Sequence, residues 1–135
     1  MPRCLDAFFQ CLKTGCSAEG RQLEEVERLR ACLALLAIAA VRLLQLKLAA
    51  RDDPDRPANQ CAPASHVAVL AAYRGRPTEG WTARQFWREV AKLGGFLGRK
   101  PDGEPGWQTI WRGWRKLDLM TIGVTLAQTQ GLRCG

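Results

Sequence analysis

The feature that most constrains this chain is a stripe of apolar residues, Leu23, Val26, Leu29, Leu33, Leu36, Ala40 and Leu43. Their recurrence every three or four positions puts all seven on one side of an α-helix. A strand would need alternation every two residues. The stripe predicts a helix from about Arg21 to about Ala50. Its first third carries charge opposite the stripe, with Glu24, Glu25, Glu27, Arg28 and Arg30 spaced for pairing three or four apart. From Ala31 to Val41 the run ACLALLAIAAV is apolar on nearly every side, as in a helix entering a core. A bilayer span takes about 20 apolar residues, and here Arg42 interrupts, followed by Gln45 and Lys47. A core helix is expected, not a membrane segment.

The flanking sequence reads as shorter helices. A first candidate ends near Lys13, where Thr14-Gly15 supplies a helix stop. Residues 51–64, RDDPDRPANQCAPA, read as a linker. Ser65 to Tyr73 predicts a short apolar helix closed by the turn-like RGRP. Thr82 is placed to cap a helix running to about Leu93, before Gly94-Gly95. GRKPDGEPG, residues 98–106, is too rich in glycine and proline for a regular element. The last helix is expected from Trp107 to about Gln128, with Gly113 and Gly123 as weak points. No period-two strand and no internal repeat is apparent.

Net charge is +7, with nine Lys/Arg against four Asp/Glu in residues 81–135 and eleven against nine before them. Such an excess favours polyanionic partners, nucleic acid first. Six cysteines form no CxxC pair and His66 is the only histidine, which argues against a zinc site. The first residues carry Arg3 and Asp6 and lack a signal-type apolar core, so reduced thiols and a cytoplasmic location are expected. Cys16 and Cys32 read as small buried residues.

Five tryptophans fall within residues 81–114, and Trp107, Trp111 and Trp114 lie on one helical face continued by Leu117. Such a face is either a core ridge or an anchor for a partner. Arg112, Arg115 and Lys116 lie off it, toward solvent or phosphate. Arg99 and Lys100 sit in a glycine-permitted loop without the spacing of a P-loop, and no small-molecule substrate is expected. Near the start, Asp6 and Lys13 are seven apart, close to two helical turns, with Phe8, Phe9 and Leu12 beside them. On spacing alone they are ordinary surface charge. His66 has no recognisable nucleophile motif around it and reads as structural.

Taken in order, FFQCLKTGC, RQLEEVERLRACLAL, VRLLQL, KLGGFLGRKPDGEPG and TIWRGWRKLD resemble bacterial cut-and-paste transposases. The type is the transposon-five-like branch of the insertion-sequence-four family. The resemblance implies a DDE active site on an RNase H-like core, with two aspartates and a glutamate holding magnesium for a two-metal mechanism. The family's glutamate lies in Tyr-x2-Arg-x3-Glu-x6-Lys. Here Lys13 matches the lysine, which in the family contacts DNA, and Asp6 stands at the glutamate position. Pro2 stands at the arginine position, and the tyrosine would precede Met1. Gln22, Glu24 and Arg28 match positions that touch terminal DNA in the family. By this resemblance the helix bearing Trp107, Trp111 and Trp114 is the candidate dimer interface, the surface that would pair two transposases.

What the resemblance implies is therefore an all-α chain. Residues 1–15 would be the remnant of a truncated RNase H-like core helix, and residues 16–50 a long central helix with a DNA-proximal start. Residues 51–64 would be the linker, and 65–135 a small helical C-terminal dimerisation-type domain. The two partner aspartates belong to strands that this sequence lacks, so Asp6 is expected to be non-functional and the chain inactive by itself. No metal and no cofactor is expected, although intact family members use magnesium. The expected partners are transposon-end DNA and a second chain, in a homodimer or a heterodimer with intact transposase. A free-standing module that pairs with and inhibits intact transposase, or the C-terminal part of a split enzyme, are the alternatives.

Overall fold

The structure, a computed structural model, describes residues 2–15 and 25–131. Five α-helices account for most of them: α1 (Pro2–Gln10), α2 (Val26–Asp52), α3 (Ala64–Tyr73), α4 (Ala83–Leu93) and α5 (Trp107–Thr129). A π-helical turn follows α1 at Cys11–Gly15, and two short 3-10 turns occupy Ala58–Gln60 and Lys100–Asp102. Among the described residues there is no strand, only one isolated antiparallel bridge between Pro57 and Thr82. The fold is all-α.

The long helix begins later than its stripe suggests. Glu25 is extended (φ −94°, ψ 127°) and its carbonyl accepts from the Leu29 amide at 3.0 Å, so helical geometry starts at Val26. Leu23 lies outside the described residues. Entry into the core also comes later than Ala31. The buried residues of α2 are Leu36, Ala40, Leu43, Leu46, Ala49 and Ala50, while Leu33, Leu35, Ile38 and Val41 stay exposed. By length and composition alone α2 would also pass for a membrane span, but its C-terminal half is packed against α4.

The core gathers one face of each of these helices, with Leu43 and Leu46 of α2, Leu70 of α3, Phe86 and Val90 of α4, and Ile110 and Leu117 of α5 fully buried. Helix α4 opens with the cap anticipated at Thr82. The Gln85 amide donates to Thr82 Oγ1 at 3.2 Å, and the Thr82 amide donates back to Gln85 Oε1 at 3.2 Å. This capping box satisfies two amides that the first turn leaves without helical partners. Helices α4 and α5 then meet at unusually close range. A Cβ built on Gly113 would lie 1.8 Å from the Val90 carbonyl oxygen, and one on Gly94 would lie 1.8 Å from that of Thr109. Gly113, expected to weaken α5, is what lets it touch α4 backbone to backbone.

Residues 53–63 connect α2 to α3 without standing free of the domain. The Ala58 amide donates to the Trp81 carbonyl at 2.8 Å, Ala83 to Arg56 at 2.7 Å and Arg84 to Pro54 at 3.2 Å. Ala58 and Ala62 are in the core cluster. The proline and aspartate composition reflects turns, and the turns are strapped to the entry of α4.

Candidate functional site

The aromatic face of α5 is turned inward. Trp107 and Trp114 are each 8% exposed. Trp107 meets Trp87 of α4 edge to face at 6.3 Å, and Lys47 of α2 covers its ring at 4.4 Å. Trp114 stacks on His66 at 5.1 Å and meets Phe86 edge to face at 6.5 Å. Trp111 is half-buried against the same core. These rings hold α3 and α4 onto α5.

Polar groups reinforce the same contacts. His66 Nε2 lies 3.0 Å from Asp118 Oδ1, joining α3 to α5, and Ser65 Oγ lies 3.3 Å from its Nδ1. Lys116 Nζ donates to the Leu93 carbonyl at 2.9 Å, a cation at the carbonyl end of α4. Glu89 lies 2.8 Å from Arg74 Nε and 2.6 Å from Lys92 Nζ. Arg74 Nε is buried and makes no aligned hydrogen bond, so its contact with Glu89 is an ion pair by distance only. Thr121 is buried but satisfied, donating to the Leu117 carbonyl at 2.8 Å. Burial raises the Cys61 thiol above its usual value, against a smaller lowering by Arg56. Its Sγ lies 3.3 Å from the Ala58 carbonyl oxygen.

Beyond Leu117 the outer face of α5 changes character. Leu119 is 66% exposed, Ile122 48% and Leu126 53%. Their spacing puts them on one face, with Gly123 between them. A Cβ on Gly123 would meet nothing within 4 Å, in contrast to Gly113. One turn and two turns before Leu119, the same face carries Arg115 and Arg112, both exposed. The sequence carries this stripe too, at the same helical spacing as the denser tryptophan pattern upstream.

The remaining candidates are scattered. Asp6 is exposed on α1 and Lys13 is exposed on the π turn. The wider turn starting at Cys11 rotates Lys13 away from the place an uninterrupted α-helix would give it. Arg28 lies at the start of α2, its Nε 3.0 Å from Glu25 Oε2, with both side chains largely in solvent. Gln22 and Glu24 lie outside the described residues, as does Cys16. Cys32 is only half-buried, against the core. Among the described residues no three His, Cys, Asp or Glu side chains cluster as metal ligands would.

The domain is all-helical, its polar contacts tie its own helices together, and its last helix exposes an apolar face. The chain belongs to the transposase Tn5 dimerisation domain family, whose model matches residues 64–131, half of its length. The matched stretch runs from the start of α3 through the whole of α5. It takes in both the tryptophan face and the exposed Leu119, Ile122 and Leu126 stripe.

Proposed function

We propose that this chain is the pairing part of a transposase, of the DDE type and insertion-sequence-four family, without catalytic competence by itself. Two copies, or one copy and an intact transposase, pair through the outer face of α5. The observation that carries this reading is Gly123. A glycine inside a helix costs about 1 kcal/mol relative to alanine. At Gly113 the cost is offset by close contact with α4. At Gly123 no contact among the described residues offsets it, and Leu119, Ile122 and Leu126 lie exposed around it. A second α5 crossing at Gly123 would use the missing side chain for close approach and bury Leu119, Ile122 and Leu126. The tryptophans then act from behind, fixing the helix that presents this face.

Catalysis is assigned elsewhere because Asp6 is exposed and joins no carboxylate cluster among the described residues, and hard cations held by carboxylates need several oxygen ligands. DNA contact at Lys13 and Arg28, and at Gln22 and Glu24, is supported by the family's motif positions and by the net charge of +7.

The test is the mass of the purified chain by sedimentation, as wild type and as Leu126→Asp. Removing a buried leucine from each of two chains forfeits about 4 kcal/mol, close to three decades in Kd. A wild-type dimer at tens of micromolar that becomes a monomer on substitution is expected. A wild type that stays monomeric even when mixed with intact transposase, or a variant that still pairs, would overturn the assignment. Trp111→Ala with Trp114→Ala is a poor substitute, because it empties the core and confuses dissociation with unfolding.

A further inference from the structure

A cleft of about 230 Å3 opens between the C-terminal end of α2 and the first turn of α4. Its lining includes Lys47 and Arg51 from α2 and Arg84 from α4, with Ala50 and Trp87 as its apolar part. Glu104 is the one carboxylate of that lining, and its Oε1 lies 3.7 Å from Arg88 Nη2. Arg51 makes only a long 3.8 Å contact with Asp52, both side chains mostly in solvent. Lys47 is held in place over the Trp107 ring. Three cationic residues from two helices therefore line one small space, beside a carboxylate that a fourth cation already approaches. Ordinary small-molecule pockets start at about 300 Å3, so the cleft is short of that size but has room for one tetrahedral anion. Arginine forks are suited to phosphate oxygens.

We propose that this cleft binds a phosphate group, either one from a DNA backbone or a free phosphoanion. The site is separate from Lys13 and Arg28, and pairing through α5 does not enter into it.

The experiment compares wild type with Arg51→Gln/Arg84→Gln, and with Arg42→Gln/Arg76→Gln as a control of equal charge change away from the cleft. Circular dichroism confirms that each is folded. Inorganic phosphate is titrated calorimetrically, and a short duplex is titrated by fluorescence anisotropy over a range of salt. If the phosphate comes from DNA, the cleft variant binds duplex at least tenfold more weakly than the control. Its slope of log K against log salt is then reduced by about 1. If the ligand is a free phosphoanion, calorimetric binding of phosphate is lost in the cleft variant alone and duplex binding matches the control. A cleft variant that matches the control for both ligands overturns the proposal.

Discussion

Replacing Gly113 with alanine tests the close α4–α5 crossing. The added Cβ would start 1.8 Å from the Val90 carbonyl oxygen, where real Cβ contacts are essentially never below 3.0 Å. The two helices would have to separate by more than an ångström. The obstructing atom is backbone, so no side chain can swing aside, and the Gly94 contact with Thr109 would open as well. Overpacking of this kind costs about 3 kcal/mol at the upper end of its usual range. The better helix propensity of alanine returns about 1 kcal/mol. A net loss of about 2 kcal/mol corresponds to a Tm lower by roughly 8 °C for a chain of this size. Gly123→Ala controls for propensity, because its Cβ meets open space. Measured by circular dichroism at a concentration where the chain is monomeric, it should raise Tm slightly. Equal Tm changes for the two variants, or a Gly113→Ala protein as stable as wild type, would refute the crossing.

Thr82→Ala removes one half of the capping box on α4, and chemical denaturation should show a loss of about 1 kcal/mol. Because burial raises the Cys61 thiol, its thiolate appears only at higher pH than for an ordinary cysteine. Alkylation at Cys61, followed by peptide mass spectrometry, should lag behind that of a model thiol at neutral pH. The same shift has a sign for stability: a thiol whose pKa is higher when folded contributes fully below the unfolded value and loses that contribution as pH rises through the folded one. Transposon-end DNA incubated with the chain and magnesium should remain whole on a denaturing gel, and specific nicking at the end would contradict the non-catalytic reading.

Much of the fold was legible because local signals agreed with one another. Thr82 with Gln85 three residues on, and Gly94 after Leu93, marked both ends of α4. The spacing of Leu36, Ala40 and Leu43 marked the face that α2 buries. Less legible were features that depend on where a helix sits. Gly113 and Gly123 are glycines of the same helix, and their spacing does not say that one meets a neighbouring backbone while the other faces solvent. Likewise, the tryptophan stripe fixed a helix face without saying whether it points inward. His66 and Asp118 lie 52 positions apart, so their pairing had no local signature. Helix α2 enters the core at Leu36, about one turn later than its apolar run suggests, because apolar composition alone does not say which neighbours are present.

The strap between residues 54–58 and 81–84 has a consequence for how the domain opens. It closes a loop that contains the whole of α3, and its hydrogen bonds lie between backbone groups. Helix α3 therefore cannot lift from α5 by a simple swing of a flexible tether. Its release requires the strap, the cap of α4 and the buried Ala58 to yield together, as one cooperative unit. Amide exchange at Ala58 and Ala83 should accordingly be as slow as in the middle of α4. A protease that favours proline-rich turns should leave this stretch intact until the whole domain unfolds.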